Sequence, residues 1–362
     1  MIILIFVLVK TFRGKLECKE FDNKSLLRMK DVLNHSHNIV IVCHLSPDGD
    51  ALGSSLGLQR FLSNCNPSSR VKVITPDEPT RSLSFLWGYN EIIAFSSRPE
   101  MCSRLIDEAE TIVCLDFNNL SRIDLLAPAI KNANATKILI DHHIDPENFA
   151  DLTFSFPEYS STCLLLFSLL ENAGMEIFID PVVANSFLTG ILTDTGNLSY
   201  NVNNALIFES VAQLIQMGAD KAKLTKLLFQ TSTESCLRIQ GFALAERMEI
   251  FENMHAALIV LEREDLNRFG YRKGDTEGLV NKPLEIPGII YSCFLREETD
   301  YIKVSMRSQG NFPVNELCRQ YFEGGGHLNA AGGEFHGSME QCITTFKNTL
   351  ELNRKKYIDN EI

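Results

Sequence analysis

Long apolar runs are missing from this chain. A membrane-spanning helix needs about 20 consecutive apolar residues, and the apolar stretch Met1–Val9 falls far short. It has no positive segment before it and no small-residue cleavage site after it, so it does not read as a signal peptide. We read residues 1–22 as a loose extension outside the fold and expect no membrane partner. Paired cysteine motifs are missing as well. The ten cysteines stand singly, with no C-x-x-C and no zinc-ribbon spacing. Cys43, Cys114, Cys163 and Cys293 sit inside apolar runs and read as core packing, which suits a reducing, cytoplasmic setting. Positive charge is scarce. With 34 Lys and Arg against 46 Asp and Glu, the net charge is −12, which argues against a broad basic surface for long nucleic acid. Neither a GxxxxGK[ST] loop nor a helix-opening GxGxxG is present, setting aside nucleotide-driven motors and nicotinamide enzymes.

What is present is the composition of a folded soluble protein, 45% hydrophobic and 22% charged. A length of 362 residues exceeds one ordinary core, so two domains are expected. The stretch Ile39–Gly57 organises the first. The β-branched run Ile39–Val42 reads as a buried strand. His44, Asp48 and Asp50 follow in a short loop with Pro47 and Gly49, residues that bend backbone sharply. Leu52, Leu56, Leu58 and Leu62 then carry a helical period. Two carboxylates this close stay ionised only with positive charge between them. A divalent cation supplies it, and mixed imidazole and carboxylate donors suit manganese, iron or zinc better than calcium.

Further strands are expected at Val71–Ile74, Thr111–Leu115 and Lys137–Ile140, alternating with helical segments; this pattern predicts a parallel, helix-covered sheet. Three of the strands deliver His or Asp at or just past their C-terminal ends, where such sheets open onto one crevice: His44, Asp116 and the run Asp141-His142-His143. Asp194 closes a helical segment before Gly196. One cation rarely needs so many anionic ligands. Two cations about 4 Å apart would use them all, with Asp116, alone on its strand end, as the candidate bridge.

His44-x-x-Pro47-Asp48-Gly49-Asp50 with Gly53-Ser54, then Asp116, Asp141-His142-His143 and Thr193-Asp194-Thr195-Gly196, resemble the four motifs of the DHH phosphoesterase superfamily. Gly324-Gly325-Gly326-His327 with Asn329-Ala330-Ala331-Gly332 resembles the GGGH signature of the DHH-associated C-terminal domain. Gly274–Asn281 and Val304–Ser308 also look like that domain. The resemblance runs from about Leu26 onward. Its branch is similar to the bifunctional oligoribonucleases (nanoRNases) that also dephosphorylate 3′-phosphoadenosine 5′-phosphate. It implies a manganese-dependent hydrolase of short oligoribonucleotides and that nucleotide, acting by a two-metal hydroxide mechanism. His44, Asp48 and Asp116 would hold one manganese ion; Asp50, Asp116, His142 and Asp194 would hold the other. His143 would face the substrate phosphate, forming with Asp116 the catalytic pair, and Asp141 would orient the imidazoles.

The fold expected is α/β: a parallel helix-covered sheet domain at 23–220, a helical linker at 221–250, and a smaller α/β substrate-binding domain at 251–362 across a cleft. In the last, Tyr301–Arg307 alternates, which places Lys303, Ser305 and Arg307 on one face. Three glycines let backbone N–H groups approach an anion closely. We therefore expect Arg307, Gly324, Gly325, Gly326 and His327 to clamp a terminal phosphate, Arg307 as a bidentate fork. The expected partners are short RNA oligonucleotides or small nucleotides, with oligomeric state left open, a homodimer included. A cyclic dinucleotide phosphodiesterase is the alternative within the enzyme class, and a non-catalytic metal-loaded nucleotide sensor is the alternative outside it.

Overall fold

The computed structural model describes residues 21–358. The apolar Met1–Val9 lies outside the described residues. Contacts divide the chain into two units between Thr231 and Ser232. The first contains α1 (Asn23–His35), β1 (Asn38–Val42), α2 (Gly49–Cys65), β2 (Arg70–Thr75), β3 (Ile93–Ala94), α3 (Pro99–Asp107), β4 (Thr111–Leu115) and α4 (Ala127–Asn132). It continues through β5 (Thr136–Asp141), β6 (Leu152–Ser155), α5 (Thr162–Asn172), α6 (Pro181–Asp194), α7 (Ala205–Gln216) and α8 (Lys221–Phe229).

Its six strands pair in parallel in the order β3-β2-β1-β4-β5-β6. Strand order reverses between β1 and β4, the switch point at which ligands of such sheets bind. Side chains alternate between two cores. Ile39, Ile41, Val113, Leu115, Ile138 and Ile140 pack with the buried helices α2, α5 and α6. Val40, Val42, Ile112, Cys114 and Leu139 pack on the other face with α3 and α4. Burial on both faces explains why these strands read as unbroken apolar runs rather than as alternating ones. Phe21 and Asp22, placed in the extension by sequence, belong to the fold. Phe21 meets Phe156 edge-on at 5.1 Å, and Asp22 caps α1 by accepting from Ser25 N.

The second unit contains α9 (Glu234–Glu246), β7 (Met248–Phe251), β8 (Ala256–Leu261), α10 (Arg263–Arg268), β9 (Tyr291–Glu297), β10 (Ile302–Ser308), α11 (Val314–Tyr321), β11 (Gly325–His327), β12 (Ala330–Phe335) and α12 (Met339–Asn353). The sheet order is β11-β12-β10-β9-β8-β7, antiparallel except between β8 and β9. Helices α11 and α12 cover one face and α9 and α10 the other. Ser338 and Gln341 form a capping box on α12. Within 221–250, read from sequence as a linker, α8 packs Leu224 into the first unit's core, while α9 packs Ile239 and Ala243 into the second's. No described helix is long and apolar enough to cross a membrane.

Candidate metal centre and phosphate-binding strand

The loop after β1 turns into α2 through Asp48, whose Oδ1 accepts from Asp50 N at 3.0 Å and Ala51 N at 3.1 Å. Capping holds this carboxylate at the sheet edge. Asp50, within the first turn of α2, is fully buried. Its oxygens accept from the backbone N–H groups of Thr162 at 2.6 Å and Cys163 at 2.9 Å. Both amides open α5, so the carboxylate sits at a helix N-terminus, where negative charge is favoured.

Asp116 directly follows β4, with φ of 65°. A left-handed conformation is tolerated by Asp better than by most residues, and strain of this kind persists where the surroundings hold it. Thr162 Oγ1 is part of that hold, donating to Asp116 Oδ1 at 3.0 Å. The Asp116 carboxylate is buried, and its two oxygens face different histidines. Oδ2 is 3.5 Å from His44 Nε2 and Oδ1 is 3.6 Å from His142 Nε2.

His44 Nδ1 lies 2.8 Å from the Leu45 carbonyl and His142 Nδ1 3.2 Å from the Tyr159 carbonyl. Donation to these carbonyls leaves each Nε2 aimed at the carboxylates. His44 Nε2 is also 3.8 Å from Asp48. His142 Nε2 is 3.3 Å from Asp194 and 4.0 Å from Asp50. His143 is arranged differently. Asp141 accepts from its Nδ1–H at 2.7 Å and from its backbone N–H at 3.1 Å. Asp141 thus orients one imidazole, His143, while a backbone carbonyl orients His142.

Three overlapping donor groups emerge, within each of which ligand atoms lie inside 4.8 Å: His44, Asp48 and Asp116; Asp50, His142 and Asp194; and Asp116, His142 and His143. Among the described residues no Lys or Arg pairs with these carboxylates, so the charge is left to protons. Burial, reinforced by the charges of Asp116 and Asp194, pushes the Asp50 carboxyl well above its usual range. Burial and the Asp116 and Asp48 charges push Asp194 up to about 8. Burial alone would lower His44, but hydrogen bonds to Asp116 and Asp48 outweigh it and push the imidazole up to about 10. The Asp141 hydrogen bond raises His143. Carboxylates buried against one another with only imidazoles for company are the donor set of a divalent cation site.

In the second unit Lys303, Ser305 and Arg307 are the less buried residues of β10. Register places Arg307 and His327 opposite Ala330 from its two sides. They therefore share a face two strands, about 10 Å, apart, with only a methyl group between them. Arg307 Nη1 donates to its own strand at the Met306 carbonyl, 2.9 Å away. Within the glycine run, Gly325–His327 is the edge strand of the sheet. Gly326 has φ of 143°, and a Cβ there would fall 2.5 Å from the Ala330 carbonyl oxygen. Close strand approach is thus one reason for glycine, and the free edge still presents unpaired backbone groups.

Sequence reading missed Tyr159, Thr162 and Cys163, which orient the candidate ligands. Tyr159 does so through its carbonyl and Cys163 chiefly through its amide, with its Sγ also donating to the Asp50 carbonyl at 3.6 Å; such backbone groups leave no mark in the residue type.

Known proteins resemble this chain over most of its length. The profile described as the DHH family, N-terminal domain, matches residues 38–191, and that of the DHHA1 domain matches residues 254–353. The chain is 30% identical to the bifunctional oligoribonuclease and PAP phosphatase NrnA of Thermus thermophilus, over 88% of this chain and 92% of that one. It is 29% identical to the protein of the same description from Bacillus subtilis, over 82% and 89%. The crystal structure of an exopolyphosphatase-related protein from Bacteroides fragilis superposes with a TM-score of 0.84 at 41% identity, covering 93% of this chain and 98% of that one.

Proposed function

The chain belongs to the DHH family and is a phosphoesterase, and from that premise we propose that it hydrolyses short oligoribonucleotides and 3′-phosphoadenosine 5′-phosphate with two divalent cations of the manganese type. The observation that carries the proposal is the Asp116 carboxylate, buried and directed at His44 through one oxygen and at His142 through the other. His44, Asp48 and Asp116 would hold one cation; Asp50, Asp116, His142 and Asp194 would hold the second. Bound there, such a pair neutralises charge on a transferring phosphoryl group and acidifies water.

The chain's own groups do the positioning. Thr162 fixes one Asp116 oxygen, and the start of α5 fixes both oxygens of Asp50. Asp141 holds a proton on His143 Nδ1 and favours the imidazolium, which leaves Nε2 to donate to a phosphate oxygen. In the second unit Arg307 and His327, with the edge amides of β11, would take the substrate's other phosphate. Nine described cysteines are free, which supports a reducing, cytoplasmic setting.

The test is a side-by-side initial-rate measurement on purified, manganese-loaded protein with a diribonucleotide, 3′-phosphoadenosine 5′-phosphate and a cyclic dinucleotide. The first two should be hydrolysed and should compete. A cyclic dinucleotide turned over fastest would move the assignment to that substrate class. Binding without turnover of any of the three would make the protein a sensor.

A further inference from the structure

His142 has a second role in the geometry. Besides facing the carboxylates it forms part of the wall of a cavity of about 440 Å3 within the first unit, lined also by Glu158, Tyr159, Ser160, Asn201 and Asn203. The volume is that of a small-ligand site. No Lys or Arg lines it, and a carboxylate does, so a phosphate is disfavoured there. The lining suits a neutral group that both gives and takes hydrogen bonds. Side-chain amides offer donors and acceptors together, Glu158 offers acceptors alone, and the hydroxyl of Ser160 is buried without a hydrogen-bond partner.

The loop carrying the asparagines is held in place. Asn197, Leu198 and Asn201 all have positive φ, of 60°, 67° and 53°; asparagine tolerates that conformation, whereas at Leu198 it is strain that persists only when the surroundings impose it. Asn197 Oδ1 accepts from Lys221 Nζ at 3.0 Å and from Thr225 Oγ1 at 3.3 Å, tying the loop to α8.

We propose that this cavity receives the ribose attached to the phosphate at the carboxylate cluster and reads its 2′-hydroxyl, which donates to Glu158 and accepts from the amide of Asn203. A 2′-hydroxyl is both donor and acceptor, and it is the group that separates RNA from DNA. His142 as a shared wall places the sugar next to the phosphate. The proposal rests on the phosphoesterase assignment above and adds a preference for ribonucleotides.

Glu158 and Asn203 are exposed, so Glu158→Ala and Asn203→Ala should fold, as a melting curve would verify. Calorimetry on the manganese-loaded protein would compare adenosine 5′-monophosphate with its 2′-deoxy form. The native protein should bind the ribonucleotide about tenfold more tightly, the effect of one hydrogen bond to a charged acceptor, and each substitution should compress that ratio to about threefold or less. Equal affinities in the native protein, or a ratio that survives both substitutions, would overturn the ribose site. Parallel rates on a diribonucleotide and its 2′-deoxy counterpart separate the two claims. Discriminating binding without hydrolysis of either leaves the ribose site standing and removes the hydrolase assignment; hydrolysis with no discrimination in binding does the reverse.

Discussion

Gly190 lies directly against the carboxylate of Asp50: a Cβ built on Gly190 would stand 2.5 Å from Asp50 Oδ1. The middle of α6 is therefore the floor beneath one of the candidate ligands, and Gly53 makes the matching approach from α2, where a Cβ would meet the Ser186 carbonyl oxygen at 2.6 Å.

Gly190→Ala should lower stability by about 1–3 kcal/mol, the ordinary effect of overpacking a tight interior, and should displace Asp50. Thermal melts with and without manganese would separate the two effects. The rise in Tm on adding manganese should shrink, because ligand stabilisation grows with the logarithm of affinity for the native state. A lowered Tm with an unchanged rise would reduce the contact to packing alone.

Asp116 faces His44, His142 and His143, whereas Asp48 faces His44 alone and its side chain is 57% exposed. Asp116→Ala should therefore abolish activity, with little recovery in excess manganese. Asp48→Ala should recover part of its activity as manganese is raised. Equal recovery of both variants would remove Asp116 from the bridging position.

Without metal, stability should fall as pH rises. Asp194 is pushed from its ordinary 3.8 up to about 8, so between these values the native state binds a proton that the unfolded chain has released, and stability drops across that window. His44, raised from 6.5 to about 10, contributes stability that is complete below pH 6.5 and is lost as pH climbs through 10. Both slopes have the same sign. A cation replaces those protons, so the Tm difference between manganese-loaded and EDTA-treated protein should widen from pH 5 to pH 9. A constant difference would mean that the cluster does not exchange protons for metal.

Arg307→Ala should raise KM for substrates with a terminal phosphate by the loss of about 2 kcal/mol, a charge-assisted hydrogen bond. Bound manganese should be unchanged, since the carboxylate cluster belongs to the other unit. Loss of metal instead would contradict the clamp, and an unchanged KM would point to Lys303, which shares its face.

Turnover should decline from dinucleotides to chains beyond about five, as each further phosphate needs its own cation and the chain carries 46 acidic against 34 basic residues. Initial rates on 5′-labelled oligomers at constant salt would show it. A flat or rising profile would indicate a longer nucleic-acid track.

Local pattern was sufficient for much of this. The apolar runs ending in His44, Asp116 and Asp141-His142-His143 announce strands, and strands alternating with helices announce a parallel sheet, whose C-terminal edge must then collect those side chains. The alternation of β10 likewise assigns Lys303, Ser305 and Arg307 to one face. Other features have no local signal. Tyr159 acts through a carbonyl and Cys163 through an amide, groups every residue but proline supplies in full, so only the placement of α5 against Asp50 selects them. The three glycines suit a turn as well as an edge strand until β12 pairs with them and makes the absence of Cβ on Gly326 a packing requirement. The cavity beside His142 joins residues 157–160 to 201–204, segments about 40 positions apart that meet because the helices between them pack on the sheet. Sequence determines which donors this protein owns and which strands and helices carry them; their convergence is decided in three dimensions, because burial, close helix approach and backbone donors are properties of the packed chain.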